Sequence, residues 1–127
     1  IASELAAKIY NLNFVEKSIE DNKHNYTRFL IISKTIAPKT GSDKTSIMFS
    51  IKDRPGALYD ILVPIKKAKI NLTKIESRPS RRKAWEYIFF VDMEGHIEDK
   101  KVKKAIEGIK DDCLYLKILG SYPHGGR

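Results

Sequence analysis

Cysteine is almost absent: Cys113 is the one thiol in 127 residues. A lone cysteine cannot build an internal disulfide framework, and its scarcity fits a reducing compartment, so a cytoplasmic location is expected. Cys113 lies in an apolar run and reads as a small core residue rather than a nucleophile. No stretch approaches the about 18 consecutive apolar residues of a membrane span, and no secretory leader is visible. The three histidines, His24, His96 and His124, are far apart, with no second histidine or cysteine at ligand spacing. No metal site is expected from them. There is no nucleophile-elbow motif for a Ser-His-Asp hydrolase. No repeat and no low-complexity segment interrupts the chain. An initiator methionine is also missing, and Ile1 falls directly inside a helical pattern, so the sequence reads as a piece of something longer.

What is present is basic charge and enough apolar residues for a core. Lysine and arginine number 24 against 16 acidic residues, a formal charge of +8. Such a balance permits nucleic acid, anionic substrates or a solvated lysine-rich surface. Lys66, Lys67, Lys69, Lys100, Lys101, Lys103 and Lys104 fall where surface faces would put them, which favours the solvated face. The apolar fraction of 42% and the length suit one domain, or one small domain with part of another.

Ala2, Leu5, Ala6 and Ile9 repeat at helical spacing, so residues 2–11 read as a helix with one apolar face. Residues 13–19 read as a short strand, 20–25 as turn, and Phe29 to Ile32 as a short buried strand. A linker is expected over 38–44, within Ala37-Pro38-Lys39-Thr40-Gly41-Ser42-Asp43-Lys44. It separates a first domain piece, 1–37, from a second domain, 45–123, with 124–127 as a loose tail.

The second domain has a complete pattern. Strands are expected over 45–51, 71–77, 85–93 and 114–119, and helices over 55–68 and 97–110. The first helix carries Leu58, Ile61, Leu62, Ile65 and Ala68 on its buried stripe, and the second carries Val102, Ala105, Ile106 and Ile109. Pro64 inside the first helix should remove a backbone bond and kink it. Asp53 can cap that helix, and Pro55 suits its first turn. Gly56 lets a ligand approach amides that the helix start leaves unpaired, where a carboxylate or phosphate is favoured. The order β-α-β-β-α-β is the ferredoxin-like split unit, with two helices on one face of a four-stranded antiparallel sheet. On the third strand Trp85, Tyr87, Phe89 and Val91 fall on one side, Ile88 and Phe90 on the other. Both sides are apolar, so a subunit, a domain or bases should cover the second face.

The run Gly56-Ala57-Leu58, then Ile70-Asn71-Leu72, Glu76-Ser77-Arg78-Pro79, Trp85 to Asp92 and Glu94-Gly95-His96 closely resembles the ACT regulatory domain of prephenate dehydratases. Leu119-Gly120-Ser121-Tyr122-Pro123 resembles that family's C-terminus. Asn25-Tyr26-Thr27-Arg28-Phe29 is similar to the Thr-Arg-Phe signature near the end of the catalytic domain. The resemblance covers nearly the whole chain, with motifs in the family's order. It implies a fold of class α+β: a βαββαβ ACT domain preceded by a helix-strand fragment of an α/β catalytic domain, most of which is absent.

That resemblance implies conversion of prephenate to phenylpyruvate with loss of carbon dioxide and water, and no metal or organic cofactor. Thr27 would hydrogen-bond or protonate the departing hydroxyl, which a threonine can do only in a polarised, water-poor pocket. Arg28 would hold a carboxylate, and Phe29 is more plausible as packing. With the opposite wall missing, no dehydratase activity is expected from this chain alone. The regulatory ligand implied is L-phenylalanine, bound between two ACT domains of a homodimer or homotetramer. Asp53, Pro55, Gly56, Ala57 and Leu58 would cradle its main-chain groups, with Asp53 a ligand for the ammonium, a helix cap, or both. Leu58 and Leu72 would meet the ring, and Glu76, Ser77, Arg78 and Pro79 would close the pocket. The rival class is an RNA-binding module of the same strand order. Against it, Lys83-Ala84-Trp85-Glu86-Tyr87 lacks the expected glycine and places Glu86 at a small-residue position, and Phe49 is the only aromatic of the first strand.

Overall fold

The computed structural model describes residues 1–22, 27, 29–80 and 87–125. The chain divides into two compact units, Ile1–Ile32 and Ser33–Arg127.

In the first unit, helix α1 spans Glu4–Ile9. Ser3 caps it, its hydroxyl accepting the Ala6 N–H at 3.2 Å. Glu4 in the first turn and Lys8 in the last complement the helix dipole. The strands expected over 13–19 and 29–32 are not formed among the described residues. Phe29, Leu30, Ile31 and Ile32, expected to be buried, are exposed, Ile31 at 97%. A strand is held by ladder bonds to a neighbour and by burial of one face, and apolar content alone supplies neither.

The second unit has the β-α-β-β-α-β order. Strand β1 spans Asp43–Ile51, helix α2 Ala57–Lys67, β2 Leu72–Pro79, β3 Tyr87–Glu94, α3 Lys100–Lys110 and β4 Cys113–Pro123. The sheet order is β2-β3-β1-β4, and each neighbouring pair is antiparallel. The core lies between the sheet and the two helices. Ile47, Phe49, Val91 and Met93 from the sheet meet Ile61, Ile65, Val102, Ala105, Ile106 and Ile109 from the helices. All four apolar positions expected on the second helix are buried. Phe49 stacks on Phe89 with ring centroids 5.4 Å apart, a pairing worth about 0.5–1.5 kcal/mol beyond area burial.

Helix α2 runs through Pro64 without ending. Against it on α3, a Cβ built at Gly108 would stand 3.1 Å from the Pro64 ring. The missing side chain at Gly108 therefore makes room for the proline, and the two helices pack closely there.

The registers Phe49↔Phe89 and Met48↔Phe90 place Phe89 toward the helices, and Met48, Ile88 and Phe90 on the opposite face. Trp85, Glu86 and the basic run Arg81-Arg82-Lys83 lie outside the described residues. On that opposite face the Ser46 hydroxyl bonds the Asp92 carboxylate at 2.5 Å and the Tyr122 hydroxyl at 2.7 Å. Strand β4 reaches Pro123, four residues past the expected end, and a register shift lies between Ser46 and Ile47 of its partner.

The turn Glu94-Gly95-His96 explains its own glycine. Gly95 has φ +105°, and a Cβ there would sit 2.8 Å from Val102 Cγ2. Thr45 Oγ1 donates to the Gly95 carbonyl at 2.7 Å. The Ser121 hydroxyl, 2.8 Å from Thr45 Oγ1, accepts the Ile97 N–H at 3.0 Å.

Candidate functional site

β1 ends at Ile51, and the chain turns sharply into α2. The Ala57 N–H donates to the Arg54 carbonyl at 3.2 Å, with Gly56 at φ +79°, ψ −5°. Proline followed by a glycine at positive φ is the signature of a type II turn, and only glycine adopts that conformation without strain. The first helical bond follows, from the Asp60 N–H to the Gly56 carbonyl at 3.0 Å.

This geometry corrects the expected cap. Gly56, not Asp53, occupies the cap position, and no side chain bonds the helix amides there. Pro55 sits in the preceding turn rather than in the helix. The Pro-Gly turn consumes the residues that would have placed Asp53 at the start. In consequence the N–H groups of Leu58 and Tyr59 have no protein partner among the described residues. Free amides at a helix start, reinforced by the helix dipole, favour an anion.

Those amides stand over a cleft of about 230 Å³, lined by Ile51, Lys52, Asp53, Arg54, Gly56, Ala57, Leu58, Tyr59, Tyr87 and Phe89. Ile51 and Ala57 are buried beneath it, and Leu58 and Phe89 pack partly into the core. Tyr59 and Tyr87 stand exposed at its edge. Arg54 is held at the rim by Asp60, 2.6 Å away. The cleft therefore presents amides and cations for a carboxylate, one carboxylate for a cation, and an aromatic and aliphatic wall. A smaller depression of about 160 Å³ adjoins it, between Lys52, Arg54, Asp111, Asp112 and Cys113. Burial, with a contribution from Asp112, pushes the Cys113 thiol up to about 11, so it is a poor nucleophile at neutral pH.

The ACT domain family model matches residues 45–111, just over half of the chain. The chain belongs to the ACT domain family. The Prephenate dehydratase family model matches residues 1–37. A bifunctional chorismate mutase/prephenate dehydratase of Aquifex aeolicus is 56% identical over 123 residues, covering 97% of this chain and 34% of that protein. The chain thus spans about a third of that relative's length. Prephenate dehydratase of Arthrobacter aurescens, solved in complex with L-Phe, superposes with a TM-score of 0.66 at 34% identity, covering 72% of this chain and 30% of that one. GqqA, described as a novel type of quorum quenching acylase, superposes with a TM-score of 0.68 at 29% identity, covering 74% and 48%.

Within the ACT domain, Asp53, Gly56, Ala57 and Leu58 line the cleft, and Pro55 shapes the turn beside it. The β2 residues do not line it. Leu72 pairs with Met93 and packs on the core at the other end of the sheet. Ser77 and Pro79 lie opposite the cleft residues Phe89 and Tyr87, while Glu76 and Arg78 lie opposite Phe90 and Ile88 on the other face. Glu76 bridges Lys74 at 3.2 Å and Arg78 at 3.6 Å. Sequence reasoning missed Ile51, Lys52, Tyr59, Tyr87 and Phe89 as lining residues, and included Arg54 only as part of the loop from Asp53 to Leu58, without a role of its own. The alternation that put Tyr87 and Phe89 on one side of their strand was the available signal for two of them. In the first unit Thr27 and Phe29 are exposed, and Arg28, with Asn25 and Tyr26, lies outside the described residues.

Proposed function

We propose that this chain is the effector-binding portion of a prephenate dehydratase, an ACT domain that takes L-phenylalanine, joined to the end of the catalytic domain. The observation that carries the proposal is the uncapped start of α2 standing over an aromatic-walled cleft. The effector's carboxylate meets the free amides of Leu58 and Tyr59, with Arg54 beside them. Asp53 faces the ammonium, and the ring lies against Leu58 and Phe89. The solved relative that holds L-Phe supports this choice of ligand.

The cleft, about 230 Å³, lies at the small end for a ligand site, and we read it as half of a site, completed by a second copy in a homodimer or homotetramer. Ser77 and Pro79, beside the cleft wall on an edge strand, are placed to close it from the neighbouring protomer, with Glu76 and Arg78 linking occupancy to that partner. A pocket that is whole in only one arrangement gives the ligand the differential affinity that allostery requires.

The parent reaction turns prephenate into phenylpyruvate, carbon dioxide and water, with Thr27 at the leaving hydroxyl and Arg28 on a carboxylate. It needs no metal or organic cofactor, and the whole enzyme works in the cytoplasm. Thr27 is solvent-exposed here, and a hydroxyl in water is no acid catalyst, so this chain alone should not turn over prephenate. Titrating L-phenylalanine while following amide ¹⁵N–¹H shifts tests the proposal. Saturating shifts centred on Leu58 and Tyr59 are expected. Binding that leaves those two amides unmoved would refute the assignment.

A further inference from the structure

The segment leading into β1 has the composition of a linker, yet it is fastened along its length. His96 is 1% exposed. Its Nε2 lies 3.0 Å from the Ala37 carbonyl, and its Nδ1 lies 3.2 Å from the Glu98 N–H. A carbonyl only accepts and a backbone N–H only donates, so the ring is the neutral tautomer with its proton on Nε2. The Lys39 ammonium bonds the Asp99 carboxylate, which also accepts the His96 N–H at 2.9 Å. Asp43 shapes the strap between them. Its carboxylate accepts the Thr40 N–H at 3.0 Å, the Thr40 hydroxyl at 2.7 Å and the Gly41 N–H at 2.9 Å. The Ser42 carbonyl accepts the His124 N–H at 2.8 Å, and the Asp43 carbonyl the Gly95 N–H at 2.7 Å. Residues 37–43 are thereby tied to the β3–α3 turn and to the end of β4.

We propose that His96 is the positioning residue of a clasp, which locks residues 37–43 onto the end of the ACT sheet opposite the effector cleft. The nine-residue β1, about 30 Å long at the usual rise, then runs as one stiff central strand from the clasp to the effector loop. A buried imidazole with both nitrogens engaged is costly to leave unpaired, so the clasp has two distinct states, closed and released. Residues 37–43 are held on the sheet at a fixed point, and a change at the cleft reaches them through β1. This last step rests on the L-phenylalanine reading.

The test is amide hydrogen exchange on the full chain. His96→Leu removes both ring bonds at similar volume, whereas His96→Gln keeps an N–H donor where Nε2 stands. Thr40 and Gly41 amides should exchange at least about tenfold faster in His96→Leu and near the unsubstituted rate in His96→Gln, with Ile47 and Phe49 unchanged. Saturating L-phenylalanine should slow Thr40 and Gly41 in the unsubstituted chain and in His96→Gln, but not in His96→Leu. Equal strap exchange in the unsubstituted and leucine chains overturns the clasp. L-phenylalanine that binds by calorimetry without slowing the strap overturns the coupling. Absence of L-phenylalanine binding overturns the effector reading and the coupling with it, and the ligand-free comparison still decides the clasp. If His96→Leu does not fold, Lys39→Met at a half-exposed position must speed Thr40 exchange about two- to threefold, and no change there overturns the clasp.

Discussion

Where β1 begins, the Thr45 and Ser121 hydroxyls, the His96 ring and the Asp43 and Asp99 carboxylates are all engaged by protein groups. Where β1 ends, two helix amides, two tyrosine rings and the Lys52 ammonium face an open cleft, with Arg54 held at its rim by Asp60. Each end is built around a glycine at positive φ, Gly95 at one and Gly56 at the other. The difference lies in what surrounds them. Gly95 is glycine because a neighbour fills its space, and Gly56 because its backbone turns in a way other residues resist. Polar groups paired within the protein hold the fold; those left unpaired at the surface remain available to a ligand.

The largest contrast should come from substituting those two glycines. Gly95→Ala combines positive φ with a Cβ 2.8 Å from Val102 and should cost about 2–4 kcal/mol of stability. Gly56→Ala meets nothing within 4 Å and should cost only about 1 kcal/mol, while weakening L-phenylalanine at least about tenfold. Urea unfolding and calorimetry on both variants check this. Equal stability losses, or an unweakened ligand in Gly56→Ala, would erase the distinction between the ends.

Acid should release the strap at the clasp end and leave the core closed. The Thr40 hydroxyl holds the Asp43 carboxyl below its usual range, and Lys39 does the same for Asp99. Both carboxyls are depressed on folding, so their contribution is complete above the unfolded value near about 4 and is lost as pH falls through the lower folded values. Asp99 raises Lys39 in turn, so that contribution is present below the unfolded value near about 10.4 and is lost as pH rises through the folded one. Exchange at Thr40 and Gly41, corrected for intrinsic rate, should rise as pH falls below about 4. Unchanged protection at pH 3 would contradict the assignment.

The smallest effect concerns Cys113. With its thiol at about 11, alkylation by iodoacetamide at pH 8 should run on the order of a hundredfold slower than for a free thiol. A free-thiol rate would show that the depression beside the cleft is more open than described.

The sequence announced its local patterns and hid its long-range pairings. The stripe Val102, Ala105, Ile106, Ile109 is a helical period, and all four residues are buried. The close contact of Pro64 with Gly108 was not legible, because Gly108 is 44 positions further along on another helix. Asp53 looked like a cap because capping preferences ignore a Pro-Gly turn that intervenes before the helix. Phe29 to Ile32 looked like a strand because periodicity does not report whether a neighbour exists to pair with. The cleft was half legible. Its loop is a contiguous motif, but Phe89 and Tyr87 arrive from a strand more than thirty residues away. The clasp was not legible at all, since the Ala37–His96 bond spans 59 residues and nothing local in either residue foretells it.

The most direct test is a calorimetric titration of L-phenylalanine into the purified chain, with L-tyrosine and L-tryptophan alongside. Saturable heat is expected near one ligand per chain, selective for L-phenylalanine, with binding at least about tenfold weaker in Gly56→Ala. No heat at millimolar L-phenylalanine, or equal heats for all three amino acids, would contradict the effector reading.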